Sequence, residues 1–374
     1  MFLTHQIVGL VSGLVVAVVC LTGAGLVFER SITAAMHPAR GVAPGSTPRL
    51  TLDTLARMVA SNERVKIGSV TLYADTLRAV QFTTTKGDAL YVNPHTAAVV
   101  DRAHGKERVF EVMEDLHRRL LAGEAGRRIV GFSTLAFLLT LVSGVWIWWP
   151  RTRAMLRTRT TFKRVAGWKR RNYDLHVVFG IYSLVFLILA GGTGLVWSFR
   201  TVGRWVDGLT PKGRATPAPP ASTPLPGASR VALTLAVDEA TRAIGPVRSV
   251  TIFLPTAPKQ SIMILGLPLD APFPQAQDAV FLDQWTGRVL RIDRFGARPA
   301  GELARRYTNP LHVGTIYGLP SQILFFLACL IGAAAPFTGA IIWVNRKWPR
   351  LLRARRDSRR ADRIRTLSST SVLQ

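Results

Sequence analysis

Four long apolar runs, Ile7 to Phe28, Ile129 to Trp149, Val177 to Phe199 and Ile316 to Val344, interrupt a strongly basic chain. A helix of about 20 apolar residues crosses the hydrocarbon core of a bilayer. Backbone amides in hydrocarbon must be satisfied within their own segment, so each run is predicted to be a transmembrane helix. The last holds Pro320 and Pro336 and is predicted to tilt or kink. Segregation of this kind reconciles two features that seldom coexist in a soluble protein, 48% hydrophobic residues and a formal charge of +26 over 374 residues.

The basic residues between the runs predict an orientation. From Arg151 to Arg171 no acid occurs before Asp174, and from Arg346 to Arg365 only Asp357 and Asp362 intervene. The positive-inside rule puts both stretches in the cytoplasm, with both termini, and leaves loops of about 30–128 and 200–311 outside. A sequence pI near 11.5 raises nucleic acid as a partner. Charge at helix ends is instead read as a topology signal in contact with anionic lipid, so the bilayer is the expected partner and nucleic acid is not. The first run has no basic n-region and outruns an ordinary signal-peptide core, so it is read as a retained helix. Cys20 and Cys329 both fall within runs and are read as small buried hydrophobes.

The order predicts an internally duplicated α-helical membrane protein, a four-helix transmembrane bundle with two external α+β domains. Its parts are helix 1 (1–29), external domain 1 (30–115), an edge segment with helix 2 (116–150) and a basic loop (151–173). Helix 3 (174–200), a proline-rich linker with external domain 2 (201–306), helix 4 (307–345) and a basic tail (346–374) follow. In the first domain Leu52 to Ala60 reads as a helix, with strands at Ser69 to Tyr73, Ala79 to Thr83 and Ala89 to Val92. In the second, Leu233 to Ile244 reads as the helix, with strands at Val247 to Leu254 and Ser261 to Leu265. Two hairpins repeat, Tyr91 to Val100 and Phe281 to Leu290, each with a polar turn between short apolar strands. Thr216 to Pro226 reads as an extended linker.

One histidine stands at the entrance of each apolar run: His5, His117, His176 and His312. His5 precedes Gly9, Thr22 and Gly23 by 4, 17 and 18 residues, and His176 precedes Gly180, Thr193 and Gly194 by the same intervals. His117 precedes Ser143, Gly144 and Trp148 by 26, 27 and 31, and His312 precedes Thr338, Gly339 and Trp343 likewise. Imidazole at a membrane edge is costly unless paired, and it is the commonest metal ligand. Helices 1 and 3 run outward, so His5 and His176 share the cytoplasmic edge; His117 and His312 share the external one. The edges are about 30 Å apart, so the pairing follows from topology.

Two haem b groups, each held axially by two histidines, are the predicted cofactors. Glycines such as Gly9, Gly13, Gly180 and Gly192 would make room for a porphyrin or, singly, allow close helix packing. Zinc is disfavoured, because no pair has an adjacent cysteine and neither HExxH nor CxxC occurs. Asp115 and Asp174 stand near His117 and His176 as acceptors for a ligand's distal N–H, or as solvated acids. His37, His95 and His104 are read as surface histidines. Trp146, Trp148, Trp149, Trp343 and Trp348 fit an aromatic belt. Arg118, Arg119, Arg127, Arg128, Arg305 and Arg306 are read as headgroup contacts, with haem propionates or an anionic substrate as the alternative.

His5 to Phe28, with its HxxxG start and Leu-Thr-Gly end, resembles the opening helix of the PepSY-associated transmembrane family. Leu116-His117, Leu121 to Gly126 and Ser143 to Arg151 resemble that family's second helix. The hairpins resemble the Asp-x-x-Thr-Gly turn of PepSY domains, kept at Asp283, Thr286 and Gly287 and altered at Asn93 and Ala97. The resemblance covers about residues 2 to 346. It implies PepSY-like periplasmic domains on an inner-membrane, two-haem electron conduit that reduces a ferric siderophore. The chain carries no nucleotide-binding fingerprint, so the donor is expected to be a separate reductase, a reduced flavin or a membrane quinol. A haem-free PepSY interaction protein and a siderophore permease component are the alternatives. No charge falls at mid-span, which counts against a transport path.

Overall fold

The computed structural model describes residues 2–42, 48–163, 165, 167–209, 211 and 217–370, with side chains to residue 347. Arg164 of the basic loop, Thr216 of the linker, and the side chains of Trp348 and of the tail beyond it therefore lie outside the described residues. The chain divides into two compact units, a helical one (Met1–Val27, Met113–Phe199, Ile323–Gln374) and a sheet unit (Phe28–Val112, Arg200–Gln322).

Four helices are long and apolar enough to cross a membrane: Phe2–Val27, Gly123–Trp148, Trp168–Ser198 and Leu319–Lys347. They match the predicted runs, here called spans 1 to 4. Small residues set how they pack. A Cβ on Gly13 would come within 2.8 Å of Pro336 in span 4, and one on Gly191 within 3.0 Å of Leu138 in span 2. On Gly332 it would meet Cys20 of span 1 and Leu187 of span 3. Such contacts replace the hydrophobic drive that helices lack in lipid. The outward side chains Val11, Leu14, Val142 and Val185 are exposed, an apolar surface that suits hydrocarbon.

Span 3 is not a uniform helix: Leu175–Phe179, which includes His176, forms a π-helical turn. Span 4 runs on through Pro336 as part of one helix, Leu319–Thr370. His117 sits on a short helix of its own, Arg108–Arg119. Leu120, Leu121 and Gly123 in left-handed conformation separate it from span 2. His312 ends a comparable helix, Ala300–Val313, stopped by Gly314 at φ 77°. The outer histidines thus precede their spans instead of opening them, a refinement of the predicted 116–150 and 307–345 segments.

In the sheet unit the predicted helices are Leu52–Asn62 and Leu233–Ile244. The strands are β1 (Ile67–Tyr73), β2 (Val80–Thr84), β3 (Ala89–Val92), β4 (Val99–Ala103), β5 (Val247–Phe253), β6 (Ile262–Pro268), β7 (Asp278–Leu282) and β8 (Val289–Asp293). The two copies do not form two separate domains. They make one antiparallel sheet of eight strands, ordered β4-β3-β2-β1-β5-β6-β7-β8. The joint is β1 against β5, centred on Thr71 opposite Thr251, whose hydroxyl oxygens lie 2.9 Å apart. The strands repeat one another in sequence, Ser-Val-Thr-Leu-Tyr and Ser-Val-Thr-Ile-Phe. An unpaired edge strand is a liability, and each copy covers the other's.

Both helices pack on one face in a single core: Leu55 and Val59, with Ala236 and Ala240, cover Val70, Phe82, Ile252 and Ile264. Asp53 of the first helix caps the second, accepting from Leu233 N at 2.7 Å and from Thr234 N and Oγ1. Burial acts against its ionised form, but these bonds win and hold its pKa below the usual carboxylate range. Its contribution is therefore present above that range and lost as pH falls through the depressed value. Asp53→Ala is expected to lower the stability of the sheet unit by about 0.5–2 kcal/mol at neutral pH. The gap to wild type should narrow in acid, as thermal melts at pH 7 and pH 3 would show.

Candidate functional site

His5 and His176 come together, with ring centroids 6.4 Å apart and planes at 88°. Each imidazole is docked on a hydroxyl-glycine pair of another span. His5 Nδ1 lies 3.0 Å from Ser143 Oγ, and a Cβ on Gly144 would come within 3.3 Å of His5 Cε1. His176 Nδ1 lies 3.0 Å from Thr338 Oγ1, and a Cβ on Gly339 would come within 3.2 Å of its Cε1. His117 repeats the device: its Nδ1 lies 2.8 Å from Val19 O and 3.2 Å from Thr22 Oγ1, with Gly23 against its Cε1. These contacts account for the intervals that follow His5 and His117 in the sequence. Span 2 carries the hydroxyl-glycine pair that receives His5, and span 1 carries the pair that receives His117.

The hydroxyls also decide the tautomer. Ser143 donates its proton to Thr140 O at 3.0 Å, and Thr338 donates to Ala335 O at 3.0 Å. Thr22 donates to Val18 O at 2.7 Å. With those protons committed, each hydroxyl accepts from the imidazole, so Nδ1 carries the hydrogen. A backbone carbonyl can only accept, which fixes His117 the same way. In all three rings Nε2 is left with its lone pair, the state a metal ligand requires. Burial holds the His117 pKa below the ordinary imidazole range, keeping that ring neutral at neutral pH. His312 lies in the sheet unit, in the last turn of Ala300–Val313. Thr193, the counterpart of Thr22, commits its proton to Leu189 O at 2.6 Å.

Neither predicted acid supports a histidine. Asp115 pairs with Arg119 at 3.0 Å. Asp174 is fully buried, paired with Arg170 at 2.9 Å, and accepts from Lys163 N. A neutral hydroxyl orients an imidazole without the desolvation that an ion would suffer. Asn172 steadies the acceptor by donating to Thr338 O at 3.1 Å. The glycines divide. Gly13 and Gly191 serve helix packing, whereas a Cβ on Gly180 or Gly192 would meet nothing within 4 Å. The edge arginines are neutralised locally: Arg118 by Glu114, Arg127 and Arg128 by Glu124, Arg305 by Asp207 and Arg306 by Glu302. Among the described residues no three His, Cys, Asp or Glu side chains gather as a metal-binding group.

Two of the three histidines read as surface residues are partly buried. His37 is only 21% exposed and bridges Asp101 and Glu107, at 3.0 and 2.7 Å. His104 is a surface residue beside Asp88. His95 is half-buried, its backbone N–H donating to Asn93 Oδ1.

Residues 2–346 match the model of the PepSY-associated TM region. The chain belongs to this family of membrane proteins. It is 31% identical over 147 residues to a Pseudomonas aeruginosa protein titled "Uncharacterized protein PA4219", a match that spans 36% of each chain.

Proposed function

We propose that this chain is a bacterial inner-membrane electron-transfer protein, with both termini cytoplasmic, that carries two b-type haems and reduces a periplasmic ferric siderophore. The approach of His5 to His176 carries the reading. A nitrogen ligand lies about 2 Å from the metal it binds. The ring centre lies about 1 Å further out, so two imidazoles on opposite sides of one iron have centroids about 6 Å apart. The 6.4 Å separation fits, neither Nε2 has a hydrogen-bond partner among the described residues, and the open space beside Gly180 lies one turn from His176.

Haem iron, when bound, supplies one-electron chemistry at a potential set by its ligands and its burial. His5 and His176 would hold one group, His117 and His312 the other. Ser143, Thr338 and Thr22 orient the rings and hold the proton on Nδ1; Gly144, Gly339 and Gly23 let the rings lie against the neighbouring backbone. Reduction of Fe(III) to Fe(II) takes one electron per iron from a separate reductase, a reduced flavin or a quinol. It converts an ion suited to hard oxygen ligands into one they hold far less tightly.

Visible spectra of the purified protein, oxidised and dithionite-reduced, with pyridine-haemochrome quantification, test this. The expected result is two low-spin b-type haems per chain. Colourless protein from cells with ample haem overturns it and leaves a PepSY interaction protein as the better account.

A further inference from the structure

The sheet face opposite the two helices carries a cleft in the first copy. It is walled by the helix Glu29–Met36 and by Pro38–Arg40. Its volume is about 630 Å³, within the range of small-molecule sites. Tyr73 and Tyr91 form its floor, with Gln81 between them accepting from the Tyr73 hydroxyl at 3.1 Å. Arg78 stacks on Tyr73 and Arg40 on Tyr91, guanidinium carbons 4.2 and 4.1 Å from the ring centres. Duplication supplies an internal comparison. The repeated strands place Phe253 where the first copy has Tyr73, and the repeated hairpins place Phe281 where it has Tyr91. Packing alone is met by phenylalanine, so the two phenols, absent from the second copy, mark this face for polar contact.

The acids in and beside the cleft are already engaged within the fold. Asp101 is engaged by Arg40 at 2.7 Å and by His37, and Glu107 by His37. Glu29 is engaged by Lys106 at 3.1 Å. Asp75 accepts from Leu77 N at 3.0 Å in its own turn. Arg78 and Arg30, both exposed at the cleft, have no acidic partner among the described residues. Guanidinium groups so placed pair with carboxylate or other anionic oxygens in charge-assisted bonds.

We infer that this cleft binds a net-anionic, oxygen-rich chelate of a trivalent metal, held by Arg78 and Arg30 over the Tyr73 and Tyr91 rings. The inference rests on the ferric-chelate reading and names the charge class and the seat of its substrate. Gallium(III) citrate is the probe: it copies the ferric chelate's charge and cannot be reduced, so binding is read without electron transfer. Full-length protein in detergent is dialysed against it and retained gallium is measured. Arg78→Glu and Arg30→Glu should each weaken retention about tenfold or more. Arg230→Glu, the same charge change at an exposed site outside the cleft, should leave retention unchanged. Arg78→Gln should lose less than Arg78→Glu, and melting curves check that each variant is folded. The inference is overturned if the wild type retains no gallium, if Arg230→Glu loses as much as Arg78→Glu, or if a cationic trihydroxamate chelate of gallium is retained equally well. Colourless protein that retains gallium citrate would lose the conduit and keep the cleft; red protein that does not would do the reverse.

Discussion

Replacing His176 with alanine is expected to remove one of two haem equivalents per chain and leave the other in place. His5→Ala should remove the same one. The double variant His5→Ala/His176→Ala should lose no more than either single change, because the proposed arrangement has both rings, 6.4 Å apart, serving one site. Residues that act as one unit are not additive, and the double variant isolates that coupling. Pyridine-haemochrome analysis reads the stoichiometry without any assay of electron transfer. A His5→Ala/His117→Ala chain, by contrast, should retain none. Additive partial losses for His5 and His176 would separate them into different sites and dismantle the proposed pairing.

Gly339→Val should match the loss expected for His176→Ala without touching a histidine. A Cβ there would stand 3.2 Å from His176 Cε1, and valine adds two methyl groups beyond it. Crowding of this kind costs about 1–3 kcal/mol when the neighbour must move. Here the neighbour is a ring whose aim depends on its bond to Thr338. Gly144→Val should act the same way on His5, where the Cβ clearance is 3.3 Å. Gly192→Ala is the control, since its Cβ would meet nothing within 4 Å. Should Gly339→Val keep both haem equivalents while Gly192→Ala loses one, the docking of the imidazole on glycine has no bearing on the site.

The spans were legible because hydrocarbon imposes a length and a composition on any helix that crosses it, and the hairpins because turn chemistry is local. The repeated intervals from His5 and His117 were legible as a pattern, but their cause was not. Seventeen residues along span 1 mean nothing until the fold brings His117, on its own short helix, level with Thr22. Asp115 and Asp174, the expected supporting acids, are neighbours of the histidines in sequence, whereas Ser143 and Thr338 lie 138 and 162 residues from the rings they hold. The π-helical turn at His176 leaves no compositional trace. His37 looked like a surface histidine because its partners Asp101 and Glu107 reach it only through the fold. The joining of the two copies is different again: Ser-Val-Thr occurs in both β1 and β5, yet similarity alone does not show that two strands pair.

The joint at Thr71 and Thr251 has the symmetry of a contact between identical subunits, each strand meeting its own repeat. A chain holding only one copy could complete this sheet by dimerising, and its assembly would then depend on concentration. Tandem fusion makes that association intramolecular, so sheet closure no longer depends on dilution. It also frees the two halves from identity. Once both are encoded in one chain, one can keep phenylalanines for packing while the other acquires tyrosines and arginines. A symmetric dimer, which must change both subunits together, has no access to that division of labour.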